Sequence, residues 1–203
     1  MANLAKRFAV ALTGMLVLPL SAVAGPILLN PDGGSFQVQA FEPVGQAFVA
    51  EDAFVEAGLH FECISCGFLN TDPISYDLYE GLGTAGTLVA SSGPFALADA
   101  FLGFFLADFS STALTIGDTY SLVASIVGSS PYWGVRGTTA SGGNGLGISQ
   151  GSPLNLDCTG TGATTCFALS VNPLTVPEPG TLGLLGAGLI GLAWRRRARW
   201  KSE

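Results

Sequence analysis

The stretch Val55-Glu56-Ala57-Gly58-Leu59-His60-Phe61-Glu62-Cys63 (VEAGLHFEC) alternates without a break. Val55, Ala57, Leu59, Phe61 and Cys63 fall on one side, and Glu56, Gly58, His60 and Glu62 on the other. A period of two is the mark of a half-buried strand. The same pattern recurs in ISYDLYEG, where Ile74, Tyr76 and Leu78 oppose Ser75, Asp77 and Tyr79. It recurs again in TYSLVASIV, where Tyr120, Leu122, Ala124 and Ile126 oppose Ser121, Val123, Ser125 and Val127. NPDGGS, EGLGTAG, SSGP and TIGDTY punctuate these runs with turn residues. Short strands between such clusters predict an all-β, antiparallel β-sandwich. FALADAFLGFFLADF suits either a helical turn or two or buried strands. Residues 25–175 are enough for one domain with a core of its own, and not for two.

Charge is distributed unevenly. Of 203 residues only 11% are charged, while 48% are apolar and 28 are glycine. Seven of the eight basic residues lie near the ends: Lys6, Arg7, Arg195, Arg196, Arg197, Arg199 and Lys201, leaving Arg136 alone between them. Residues 25–176 hold thirteen acids against that one base, a net charge of −12. Nucleic-acid binding needs clustered Lys and Arg, so that function class is excluded for the body. A repulsive, soluble, acidic domain fits an exported protein.

The first residues, MANLAKRFAVALTGMLVLPLSAVAGP, have a basic start, an apolar stretch from Phe8 to Leu20, and small residues at Ala22 and Ala24. These are the three parts of a secretory signal peptide, residues 1–24, read by the Sec machinery and cleaved to leave Gly25 first. Four cysteines agree with export: Cys63 and Cys66 in CISC, Cys158 and Cys166 around TGTGATT. In an oxidising compartment an even count points to disulfides, with three connectivities open. Zinc ligation and a redox Cys-x-x-Cys are the alternatives. The second pair lacks ligand spacing, and no strand–helix thioredoxin pattern surrounds the first.

The body offers little catalytic chemistry. There is one histidine, His60, on the polar face of its strand beside Glu56 and Glu62. Imidazole-dependent nucleophilic catalysis and a histidine-rich metal centre both need more than that. There is no phosphate-binding GxxxxGK[ST] loop. A carboxylate pair for polysaccharide hydrolysis is spatial and not sequential, and nothing singles out two of the thirteen acids. Asp32, Asp72 and Asp157 sit in turn-like loops; the turn-forming role is preferred over calcium ligation. The expectation is therefore a non-enzymatic domain with no cofactor and no metal. Tyr132 and Trp133 are the candidate glycan contacts, either stacking on a sugar face or packing into the core. The glycine-rich segment 137–151 reads as a long surface loop, with or without a short edge strand.

At the C-terminus, Val176-Pro177-Glu178-Pro179-Gly180 breaks any regular element and extends the chain as a spacer, residues 176–180. Residues 181–194, TLGLLGAGLIGLAW, are uncharged; as a single transmembrane helix they span about 21 Å, less than a hydrocarbon core of roughly 30 Å. Small residues at Gly183, Gly186, Ala187, Gly188 and Gly191 give a smooth face for close helix contact. Arg195, Arg196 and Arg197 then act as a stop that stays in the cytoplasm, within a basic tail of residues 195–203.

This order of Pro-Glu-Pro, short glycine-rich helix and terminal arginines resembles the PEP-CTERM sorting signal of Gram-negative bacteria, also catalogued as the ice-binding protein C-terminal motif. The resemblance implies exosortase as a partner, cleavage near Pro177-Glu178-Pro179, and a place at the cell surface or in an exopolysaccharide-containing biofilm matrix. The body resembles exported bacterial jelly-roll domains in the order of Gly45-Gln46-Ala47-Phe48, Leu78-Tyr79-Glu80-Gly81 through Leu88, Leu114 through Leu122, and Trp133-Gly134. Such domains are similar to carbohydrate-binding modules, which implies a jelly-roll-like sandwich and, as an alternative function, a lectin-like surface module.

Overall fold

The computed structural model describes residues 25–64, 72–126, 128, 133–138, 146–154 and 166–174. In chain order the strands are β1 (Ile27–Leu28), β2 (Ser35–Gln37), β3 (Val44–Val49), β4 (Val55–Cys63), β5 (Ile74–Glu80), β6 (Leu88–Phe95), β7 (Leu102–Phe104), β8 (Ala107–Asp108), β9 (Thr119–Ile126), β10 (Trp133–Thr138), β11 (Gly147–Ser149), β12 (Ser152–Pro153), β13 (Cys166–Phe167) and β14 (Leu169–Pro173). One helical turn, α1 (Val38–Phe41), follows β2, and a 3-10 turn (Gly83–Ala85) follows β5.

The strands form two sheets. The first has the order β1–β14–β4–β10–β13, with β7 and β8 also on β4, and β2 on β10. The second has the order β12–β11–β3–β9–β5–β6. The core lies between them. β4 contributes Val55, Ala57, Leu59 and Phe61 from one side, and β5 contributes Ile74, Tyr76 and Leu78 from the other. The rings of Phe61 and Tyr76 meet across the gap at 5.9 Å between centroids. The antiparallel sandwich expected from the period-two runs is thus the fold.

Polar side chains inside the sandwich join its parts. Tyr76 is fully buried on β5, and its hydroxyl reaches the opposite sheet where the ladder between β4 and the β7–β8 connection is interrupted. There it accepts from the Leu59 amide at 2.9 Å and donates to the Phe105 carbonyl at 2.9 Å. One hydroxyl thereby satisfies two backbone groups that would otherwise be buried unpaired. Gln46 on β3 plays a similar part, accepting the Phe167 amide of β13 through Oε1 at 2.9 Å. Its neighbour Gly45 has no room for a side chain: a Cβ there would lie 1.9 Å from the Leu122 carbonyl oxygen. Close approach of β3 to β9 therefore requires glycine.

Two local expectations are refined. FALADAFLGFFLADF contains no helix; it supplies the short strands β7 and β8 on β4. On β9, Ser121 and Val123 sit on the outer side and are nonetheless buried. Ser121 is covered by the loop after β5, donating to the Gly81 carbonyl at 2.7 Å and accepting from the Gly83 amide at 2.9 Å. Gly81 and Gly83 have φ of 88° and 75°, which suits glycine and lets the loop fold back. Val123 packs with Ala47, Ile148 and Tyr79 in a small second cluster. The expected signal peptide and transmembrane helix lie outside the described residues. Among the described residues no helix is long and apolar enough to cross a membrane.

Candidate functional site

The sorting residues Pro177, Glu178 and Pro179, the stop residues Arg195, Arg196 and Arg197, and the signal-cleavage residues Ala22 and Ala24 all lie outside the described residues. So do Cys66, Cys158 and Tyr132. What the fold does fix is the place where the tail begins. β14 runs between β1 and β4, with Pro173 opposite Val55. The amide of Leu174 then donates to the Phe54 carbonyl at 2.8 Å. Regular pairing and backbone hydrogen bonding thus hold the chain up to residue 174.

Several connections gather at this end of the sandwich. The Leu114 amide donates to the Ala53 carbonyl at 2.7 Å, and the Gly117 amide to the Ala50 carbonyl at 2.8 Å. The Gly81 amide donates to the Thr119 carbonyl at 2.7 Å. β1 pairs with β14 in the register Ile27↔Val171 and Leu28↔Ser170. Continuing that register brings Gly25 level with Pro173. Both ends of the body therefore leave from one pole, which also carries the exposed acids Glu51, Glu80 and Asp118. The opposite pole holds the end of β4 at Cys63, the start of β10 at Trp133 and the end of β9 at Ile126.

The outer face of β4 carries the polar residues that the alternation placed there. Arg136 on β10 pairs with Glu62 at 3.0 Å, and Asn172 on β14 donates to Glu56 at 2.9 Å. His60 stands between them with its ring edge against Phe104, centroids 5.0 Å apart. Its Nδ1 is buried without a hydrogen-bond partner. Burial lowers the imidazole pKa below its usual value, the positive charge of Arg136 lowers it further, and Glu62 opposes both. At neutral pH this is an uncharged, packed imidazole, held by its neighbours rather than aimed at a nucleophile.

Trp133 takes the second of its two expected roles, packing into the core. It is 0% exposed, in the core with Val135, while Arg136 between strand residues points outward to its ion pair. The period-two register of β10 puts Trp133 and Val135 inside, so the indole face meets protein on all sides and not a sugar. Its Nε1 is buried with no hydrogen-bond partner. The signal was available in the sequence: W-x-V followed by Arg136 is the inward–outward alternation of an interior strand. Within the glycine-rich segment, β10 runs to Thr138 and β11 occupies Gly147–Ser149; residues 139–145 lie outside the described ones. Of the acids considered for calcium, Asp32 is exposed, Asp72 is half-buried beside Gly128, and Asp157 lies outside the described residues. Among the described residues no group of three or more His, Cys, Asp or Glu side chains is placed to hold a metal ion.

Sequence reading did not reveal the internal hydrogen-bonding residues Tyr76, Gln46 and Ser121. Gln46 sits at an inward position where the pattern expects an apolar residue, and its partner Phe167 is 121 residues away.

Comparison with known proteins adds one finding. The family model of the PEP-CTERM protein-sorting motif matches residues 175–197. No curated protein and no solved structure matches the chain. The match begins at the residue after Leu174. The chain carries this sorting signal, and with it the course of an exported surface protein that is handled by exosortase through a membrane-anchored intermediate.

Proposed function

We propose that the protein is a non-catalytic component of the cell surface or biofilm matrix of a Gram-negative bacterium, freed from its membrane tail by a cut near Pro177-Glu178-Pro179. The observation that carries this reading is the sorting motif at residues 175–197, beginning directly after Leu174, the last described residue of the body, which is hydrogen-bonded to Phe54. The physical sequence of events follows from the parts. The signal peptide takes the chain across the inner membrane, and Arg195, Arg196 and Arg197 keep the end of the tail in the cytoplasm. The body folds outside, where Cys63, Cys66, Cys158 and Cys166 form disulfides. Cleavage then separates the acidic body from nearly all of the chain's positive charge.

The charge of the body bears on its partners. Arg136, its one basic residue, is paired with Glu62. An acidic exopolysaccharide is repelled by such a surface, so association with the matrix takes place through neutral glycan or through other proteins. With Trp133 in the core, no described aromatic side chain is singled out for sugar stacking, and the lectin-like alternative loses its main residue.

Cell fractionation tests the reading. In cells with an exosortase, the protein is expected in the surface fraction without its tail. In an exosortase-deficient strain it is expected at full length in the membrane fraction. Equal release of tail-free protein from both strains would refute the assignment.

A further inference from the structure

Resting on the sorting reading above, we infer that the pole of the sandwich formed by the connections 50–54, 80–87 and 110–118 is the surface presented to the membrane-embedded sorting enzyme, and that cleavage takes place in contact with it. Leu174 is fixed by its bond to Phe54. Pro177 is three residues further on, so it lies at most about 11 Å from Leu174 even when the chain is fully extended. An enzyme that closes on Pro177-Glu178-Pro179 cannot do so without covering the surface around Phe54.

From Leu174 to Thr181, where the apolar segment starts, there are seven residues, or at most about 25 Å. The nine residues of β4 make the sandwich about 30 Å long. The tail is too short to run the length of the body, so the opposite pole, at Cys63 and Trp133, cannot be the one that approaches the membrane.

β1 lies next to β14, and its register brings Gly25 level with Pro173. The residue that follows the signal peptide and the residue that precedes the tail therefore share one pole. A chain held to the membrane from either end, or from both, presents the same face. That face carries Glu51, Glu80 and Asp118 as exposed acids and no basic residue among those described. It is thus repelled by anionic lipid headgroups. Direct adhesion of this face to the bilayer is therefore disfavoured, which leaves the sorting enzyme as its occupant.

Insertion of a small folded domain tests this. One variant carries it at the Ile116–Gly117 turn, on the tail pole. A second carries it in the connection between Ile64 and Asp72, whose two ends lie at the opposite pole. Both are produced in cells that contain the exosortase, thermal melting confirms that each body folds, and tail removal is read by intact mass. The tail-pole insertion is expected to lower the cleaved fraction by at least about tenfold, because a tether that cannot span to its site has almost no effective concentration there. The opposite-pole insertion is expected to leave cleavage at the parent level. A flexible Gly/Ser spacer of about twenty residues between Leu174 and Thr175 is expected to restore cleavage to the tail-pole variant. Equal cleavage of the two insertion variants, or no rescue by the spacer, overturns the inference. If the parent protein itself keeps its tail, it is the sorting reading that fails, and this inference fails with it.

Discussion

Tyr76 and His60 show how single side chains set the stability of the sandwich. The Tyr76 hydroxyl is bonded to the backbone of Leu59 and Phe105, and burial raises its pKa far above the ordinary phenol range. Tyr76→Phe leaves both backbone groups buried and unpaired. A loss of about 1–3 kcal/mol in urea unfolding is expected, whereas an unchanged midpoint would show that the hydroxyl bridge contributes nothing. His60 governs a different response. Its folded pKa is lowered, chiefly by burial, below the ordinary 6.5. A base lowered in the fold binds fewer protons there than in the unfolded chain. Stability from this site is therefore full above the unfolded value and falls as pH drops through the interval below it. Between about pH 7 and pH 5 the wild type is expected to lose more thermal stability than His60→Gln. Parallel melting curves for the two would contradict it. The side on which each of these residues sits was legible from the alternation. Their partners were not, because Leu59 and Phe104 come from other strands and Phe105 from the β7–β8 connection.

β3 and β10 carry the lessons at the level of elements. Gly45 on β3 faces the Leu122 carbonyl so closely that a Cβ would lie 1.9 Å from it. Gly45→Ala must displace backbone, and a cost toward the upper end of about 1–3 kcal/mol is expected from denaturant unfolding. β10 bears on the cysteines. Cys63 pairs with Trp133 and Cys166 with Thr138, at the two ends of that strand. The separation is about 16 Å along the strand, far beyond the roughly 6 Å between Cα atoms of a disulfide. Among the described residues no cysteine is a free thiol, so Cys63 and Cys166 belong to different bonds. Cys66 reaches at most about 11 Å from Cys63. β4 also leaves Cys63 heading away from Thr138, so a bond from Cys66 to Cys166 requires the chain after Ile64 to double back at nearly full extension. The expected pairing is Cys63–Cys66 and Cys158–Cys166. Digestion of unreduced protein after Glu62 and Glu80, and before Asp157, then yields each pair inside one peptide. A cross-linked species joining the two peptides would refute it. The sequence left three pairings open because connectivity depends on register, which composition and spacing do not encode. The strands themselves were legible, since period two is local; the turn α1, which no side chain caps, was not.

For the whole molecule, address and body were legible to different degrees. The sorting signal is written in contiguous residues, each part acting through its own local physics, and the family match at 175–197 coincides with it. A ligand surface of the body is assembled from strands far apart in the chain. Trp133 shows the consequence: taken alone it offered a stacking platform, and the assembled sheets enclose it. On the function proposed above, the working protein is the sandwich without either terminal segment. Intact mass of the protein released from the surface of exosortase-containing cells tests this at both ends at once. The expected chain starts at Gly25 and ends within or just beyond Pro177-Glu178-Pro179. A released chain that still ends at Glu203 would contradict it.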